Sequence, residues 1–324
     1  MLTPTPFDLF FNRQDPTDPR LGELIKRNTE PALTEISLKN QQIAILGYPD
    51  DQGITLNKGR VGAAKAPDMI RKYFYRLTQG IHHELDDLRI IDIGNLSVRS
   101  MIKESHEYAA QVIREIRNQK VVPIVLGGGN DYAFADVMGM VLSMAPKQKL
   151  GIINIDAHFD VRDLSFGITS GTPYYRVLET YGKRIPKNCF VEFAIQSQKS
   201  SKQHFQYVAK KGGKVHLLED LQNKGVEKTF KTMLKDLEKK CDAIVVSLDM
   251  DSVRQADAPG VSAPSSNGLS AKQVESISNF CGLSKKVKLF SIYEVSPPLD
   301  RDDQTSRLAA NCMWAFLSGF ARRP

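Results

Sequence analysis

LGIINIDAHFD, residues 150–160, is a short apolar run that ends in a cluster of potential ligands. The run Leu150–Ile155 does not alternate between apolar and polar, which is the pattern of a strand covered on both faces. Asp156, His158 and Asp160 follow at alternate positions, and at a strand end such positions project to one side. A second run, Ala243–Leu248, leads into Asp249 and Asp251 with the same spacing. A single D-x-D is most often a pair of solvated turn residues. Two such motifs, each at the end of a buried strand, place four carboxylates and one imidazole together, and these repel unless a cation lies among them. Oxygen ligands with one imidazole suit Mn²⁺ better than zinc, which prefers thiolates or several imidazoles. Two cations about 3.5–4 Å apart share bridging carboxylates and activate a water between them.

Outward from these two strands the same pattern recurs. Ile43–Gly47, Arg89–Ile93, Val121–Leu126, Phe190–Ile195, Lys214–Leu218 and Val287–Tyr293 bring the apolar runs to eight. Ala66–Leu77, Glu104–Gln119, Val226–Lys240 and Ala271–Cys281 carry apolar residues at three- and four-residue spacing, as amphipathic helices do. Strands alternating with helices predict an α/β fold in three layers: an eight-stranded, mostly parallel sheet flanked by helices, with right-handed crossovers. Residues 1–40 read as an irregular extension with a short helix, and residues 41–324 as one catalytic domain without a composition break or internal repeat.

Open parallel sheets bind ligands beyond the carboxyl ends of their strands. Besides the two aspartate motifs, those ends carry Gly127-Gly128-Gly129-Asn130-Asp131 and Glu294. The glycine loop matches neither phosphate-binding pattern, G-x-x-x-x-G-K-[ST] or G-x-G-x-x-G, and is expected to be a tight turn with close backbone approach.

Composition narrows the function classes. The chain of 324 residues has a net charge of +7 and a pI near 9.1, but its lysines are scattered. Without an RNP, KH or Cys/His finger pattern, nucleic-acid binding is not expected. The cysteines Cys189, Cys241, Cys281 and Cys312 lie far apart with no C-x-x-C, as expected of reduced thiols in the cytoplasm. Residues 1–20 lack the apolar core of a secretory signal, and no apolar stretch is long enough to span a membrane. His82, His83, His106, His204 and His216 stand outside any motif and are assigned surface or packing roles.

The motifs together resemble the ureohydrolase superfamily of arginase, agmatinase and formimidoylglutamase, from about Ile43 to the C-terminus. They are Asn57-Lys58-Gly59-Arg60-Val61-Gly62-Ala63, the triple-glycine loop, Asp156 to Asp160, Ser247 to Asp251, Ala258 to Pro264, and Glu294-Val295-Ser296-Pro297. Asp156 to Arg162, Ser170-Gly171-Thr172-Pro173-Tyr174 and Ile195-Gln196-Ser197 make formimidoylglutamase the most similar branch. Arginases carry a proton-shuttling histidine after the D-x-H-x-D motif, whereas no histidine lies between His158 and His204 here.

The resemblance implies an arginase-like fold, a homo-oligomer and two Mn²⁺ per chain held by Asn130, Asp156, His158, Asp160, Asp249 and Asp251. The family has histidine where Asn130 stands. An amide oxygen is a weaker donor than imidazole, so the expectation is one tight Mn²⁺ and a second held loosely or not at all. The stretch Asp251-Ser252-Val253 also lacks the family's Asp-Pro step. Glu294 matches the carboxylate that pairs with the cationic end of the substrate, and Asp160 is the residue placed to pass a proton to the leaving amine. Arg162 is a candidate for a substrate carboxylate, with Tyr174 and Arg176 as weaker candidates. The expected activity is hydrolysis of a linear amidine C–N bond, with N-formimino-L-glutamate giving L-glutamate and formamide. The alternatives are a guanidino-substrate hydrolase of agmatinase or arginase type, and a metal-poor relative that binds without turnover, for which Asn130 is the main support.

Overall fold

All eight expected runs are strands of a single sheet in the computed structural model, which describes residues 1–323. They are β3 (Ile43–Gly47), β4 (Ile90–Leu96), β5 (Val122–Leu126), β6 (Leu150–Ile155), β7 (Phe190–Ile195), β8 (Lys214–Leu217), β9 (Ala243–Asp249) and β10 (Val287–Tyr293). Two further strands, β1 (Leu2–Thr3) and β2 (Lys26–Arg27), come from the N-terminal forty residues. At two residues each, they are too short to show any periodicity. The order is β1-β4-β3-β5-β10-β9-β6-β7-β8, with β2 also on β4, so the sheet has ten strands rather than eight. The β1–β4 pair is antiparallel. The other pairs are parallel.

Successive side chains on a strand point to opposite faces, and both faces are covered here. Ile43 and Ile45 of β3 enter one apolar layer while Ala44 and Leu46 enter the other. The first layer is closed by helices Ala66–Phe74, Val226–Lys240, Ala271–Leu283 and Gln304–Ala321. The second is closed by Ile102–Asn118, Ala133–Ser143 and Pro173–Tyr181. Two of these helices lack an amphipathic stripe in sequence. Ala133–Ser143 is apolar on nearly every side, and Gln304–Ala321 buries small residues such as Ala309, Ala310 and Gly319. The latter packs on Ala271–Leu283, where Gly282 and Gly319 let the backbones meet. A Cβ at Gly282 would strike the Phe316 carbonyl, and one at Gly319 the Asn279 carbonyl. No helix among the described residues is long and apolar enough to cross a membrane.

The N-terminal segment is tied to the sheet by a buried polar cluster. Arg71 donates to Asp92 through Nε at 2.7 Å and Nη2 at 3.0 Å, and neither side chain is exposed. Thr5 Oγ1 also donates to Asp92, at 2.9 Å, as does the hydroxyl of Tyr75. Removing one member of a buried pair strands the other charge. Asp92→Ala is therefore expected to destabilise the fold by about 3–5 kcal/mol, read as a lowered urea midpoint. A midpoint like that of wild type would show that Arg71 finds water or another acceptor.

Candidate metal centre

Four adjacent central strands, β5, β10, β9 and β6, deliver the site. Being parallel, they end on the same edge of the sheet, which brings Asn130, Glu294, Asp249 with Asp251, and Asp156 to Asp160 to one place. Local hydrogen bonds shape each turn. Asp156 Oδ1 accepts from the His158 N–H at 2.7 Å, and Asp249 Oδ1 from the Asp251 N–H at 2.9 Å. An aspartate that accepts from the amide two residues on makes a compact turn, so the D-x-H and D-x-D spacings bend the chain back over the strand end. Asp160 and Glu294 adopt positive φ, 48° and 63°, a backbone state that non-glycine residues occupy at a cost and that concentrates at functional sites. The glycine loop closes the remaining side as expected: a Cβ at Gly128 would overlap the carbonyl oxygen of Asp50.

Ligand atoms of Asp156, His158 and Asp251 lie within 4.8 Å of one another, and so do those of Asp156, Asp160 and Asp249. Asp156 belongs to both groups. Asn130 stands between Asp156 and Asp160, its Nδ2 3.3 Å from Asp156 Oδ2 and 2.8 Å from Asp160 Oδ2. Its Oδ1 accepts from Ser247 Oγ at 3.3 Å, and its backbone N–H donates to Glu294 Oε1 at 3.0 Å.

The electrostatics call for a cation. Burial first, then the neighbouring carboxylate of Asp251, pushes Asp249 well above the usual carboxylate range. Burial and then Asp156 do the same to Asp160. The one positive charge within the cluster is His158, which the Asp251 carboxylate 3.1 Å away pushes up to about 11 against the opposing effect of burial. Asp251 Oδ1 is buried without a hydrogen-bond partner. Carboxylate oxygens, one imidazole nitrogen and an unpartnered buried oxygen form a donor set that fits hard divalent cations such as Mn²⁺.

Above the cluster opens a cavity of about 500 Å³. Of its lining, the buried or half-buried His158, Asp160, Asp249, Asp251 and Glu294 form the floor, and the exposed Lys58, Arg60 and Arg162, with the half-buried Lys199 and His204, form the mouth. Arg60 and Lys199 are anchored on the loop that follows β9: Arg60 Nη2 donates to the Val261 carbonyl at 2.7 Å, and Lys199 Nζ to that of Ala263 at 2.7 Å. Of the candidate substrate residues, Arg162 and Glu294 line the cavity and Tyr174 and Arg176 do not. Both of the latter are buried, on different sides of the helix Pro173–Tyr181. Tyr174 is wholly buried against Phe190. Arg176 lies 3.6 Å over the Phe134 ring and bonds His106 Nδ1 at 2.9 Å, while His106 Nε2 bonds Asp131 at 2.7 Å.

The mouth adds residues to which the sequence assigned no individual role. His204, given a surface or packing role from sequence, lines the cavity. Lys58 and Arg60 stood within the Asn57–Ala63 motif, which was the available signal. Lys199 carried none.

This fold and this site define a class: the chain belongs to the arginase family, whose sequence model matches residues 41–319. Within that class its relatives are more particular. The formimidoylglutamase of Macrococcus caseolyticus is 32% identical over 274 residues, 84% of this chain and 83% of that protein. A formiminoglutamase of Trypanosoma cruzi solved with Mn²⁺ superposes with a TM-score of 0.83 at 30% identity, covering 95% of this chain and 100% of that one. A variant of the T. cruzi protein with histidine in place of an asparagine, also solved with Mn²⁺, gives a TM-score of 0.83 at 29% identity, with 95% and 100% covered.

Proposed function

We propose that the protein hydrolyses N-formimino-L-glutamate to L-glutamate and formamide. The observation that carries this reading is the polarity of the cavity, which has a floor of carboxylates and a mouth of lysine and arginine side chains. The substrate has the same polarity reversed, with a cationic formimino group at one end and the two carboxylates of glutamate along the rest of the molecule. Agmatine, cationic at both ends, meets repulsion at the mouth.

We assign Asp156, His158, Asp160, Asp249 and Asp251 as the ligands of Mn²⁺, with Asn130 at the weaker position. The metal, when bound, supplies positive charge that lowers the pKa of a water and polarises the amidine carbon's substituents. The protein's own groups do the rest. Glu294 uses Oε1 for the Asn130 N–H and keeps Oε2 for the formimino nitrogen. Burial pushes its carboxyl well above the usual carboxylate range, and a cationic substrate beside it would draw it back toward the ionised form. Asp160 accepts from Asn130 Nδ2 through Oδ2 and is positioned to carry a proton on Oδ1 to the departing amine. Arg162 and Lys58 face the substrate carboxylates at the mouth.

Product analysis of the purified protein with Mn²⁺ tests the proposal: formamide and glutamate from N-formimino-L-glutamate are expected, with little urea from arginine or agmatine. Urea release exceeding formamide release would move the assignment to a guanidino substrate. Glu294→Gln is expected to lower kcat/KM by about 100-fold, the scale of losing one partner of a buried charge pair. A variant with unchanged kcat/KM would remove Glu294 from substrate recognition.

A further inference from the structure

Beneath the floor of the cavity, two wholly buried polar side chains face each other across the β6–β7 pair: Asn154 and Glu192. Asn154 Nδ2 donates to Glu192 Oε2 at 2.9 Å and to Asp156 Oδ2 at 3.2 Å. A carboxamide has two N–H hydrogens, so both are committed. The two oxygens left over, Asn154 Oδ1 and Glu192 Oε1, are buried and have no donor. Both are acceptors, and the charged groups acting on Glu192 are the carboxylates of Asp156 and Asp160, of its own sign.

In the metal-free site an ionised carboxylate here would be buried without a counter-charge, and the amide oxygen beside it would be orphaned as well. A single proton resolves both. Placed on Glu192 Oε1, it makes a donor for Asn154 Oδ1. The acid and the amide then close a ring of two hydrogen bonds, one being the 2.9 Å bond already formed. We propose that Glu192 is a neutral carboxylic acid locked in a cyclic pair with Asn154, and that this pair is the positioning element for Asp156. With Oδ1 committed to the acid, the amide of Asn154 cannot flip and must present an N–H to Asp156 Oδ2. Asp156 is the one carboxylate common to both ligand groups, so its orientation governs both cation positions. The inference rests on the metal assignment above and deepens it. Glu192 touches neither substrate nor metal; it acts through Asn154.

The test uses the full chain and four proteins: wild type, Glu192→Gln, Glu192→Leu and Asn154→Ala. Glutamine offers the donor and acceptor of the neutral acid, so Glu192→Gln is expected to keep Mn²⁺ affinity within about twofold of wild type in calorimetric titration. Glu192→Leu and Asn154→Ala are expected to weaken Mn²⁺ binding by about 10- to 100-fold, the usual effect of losing a group that orients a ligand. The infrared spectrum of metal-free wild type minus that of Glu192→Gln is expected to contain the carbonyl stretch of one protonated carboxyl. Absence of that band, or a Gln variant as impaired as the Leu variant, overturns the neutral-acid assignment. Wild-type affinity in both Glu192→Leu and Asn154→Ala overturns the positioning role, and Asn154→Ala decides it alone if the leucine variant does not fold. A wild type that binds no Mn²⁺ strikes the metal assignment and with it the positioning role. The infrared band still decides the neutral acid.

Discussion

Asp156→Ala is expected to abolish Mn²⁺ binding at both positions and to lower turnover by at least about 10³-fold, roughly 4 kcal/mol of lost charge stabilisation. The expectation follows from the overlap of the two ligand groups: Asp156, His158 and Asp251 in one, Asp156, Asp160 and Asp249 in the other. Asp249→Ala is expected to differ in kind. It removes a ligand from the second group alone, leaving the group that contains the single imidazole. Metal content per chain, measured after dialysis against Mn²⁺, separates the two variants: near zero for Asp156→Ala and near one for Asp249→Ala. About one metal per chain retained in Asp156→Ala would mean that Asp156 does not serve both positions.

Asn130→His is expected to tighten the weaker Mn²⁺ by at least tenfold, about 1.4 kcal/mol, and to raise turnover at limiting metal. The amide of Asn130 is engaged as a donor, with Nδ2 on Asp156 and Asp160 and Oδ1 held by Ser247. To offer Oδ1 to a cation it must turn over and give up those bonds, and the oxygen it then presents is a neutral, weak donor. An imidazole offers a stronger lone pair. Calorimetric titration of wild type should therefore resolve one tight and one weak event, and titration of the variant two tight ones. Two equally tight events in wild type would refute unequal occupancy. Two tight metals in the variant without turnover on any amidine or guanidine would favour a binding protein over an enzyme.

The order of legibility in the sequence follows from the range of the interactions. Strand ends and their aspartates were readable because the D-x-H-x-D and D-x-D spacings act locally, within one turn. Glu294 and Asn130 were readable from their place after buried runs and from their likeness to family motifs. Tyr174 and Arg176 lie off the cavity, because a motif gives their neighbourhood but not the direction in which each side chain points. Arg176 faces inward to His106, not outward to the cavity. Asn154 and Glu192 were invisible because each sits within an apolar run, and the pairing between them depends on the register of two strands 38 residues apart in sequence. The ends of the fold behaved similarly. The helix Gln304–Ala321 buries small residues with little contrast between its faces, and β1 and β2 exist only because β4 is there to pair with them.

The edges of the sheet also bear on how copies of this chain can meet. A long bare strand at an edge is a template on which another polypeptide can add by backbone hydrogen bonding. Here one edge is made of β1 and β2, two residues each, laid side by side on β4, β1 antiparallel and β2 parallel. The other ends in β8, four residues long, opened by the charged, exposed Lys214. Neither offers enough free amides and carbonyls to seed an intermolecular ladder, so the ten-stranded sheet is closed to growth. Association between copies must then run through side chains of helices and loops, a geometry that disfavours fibrils while leaving discrete oligomers open.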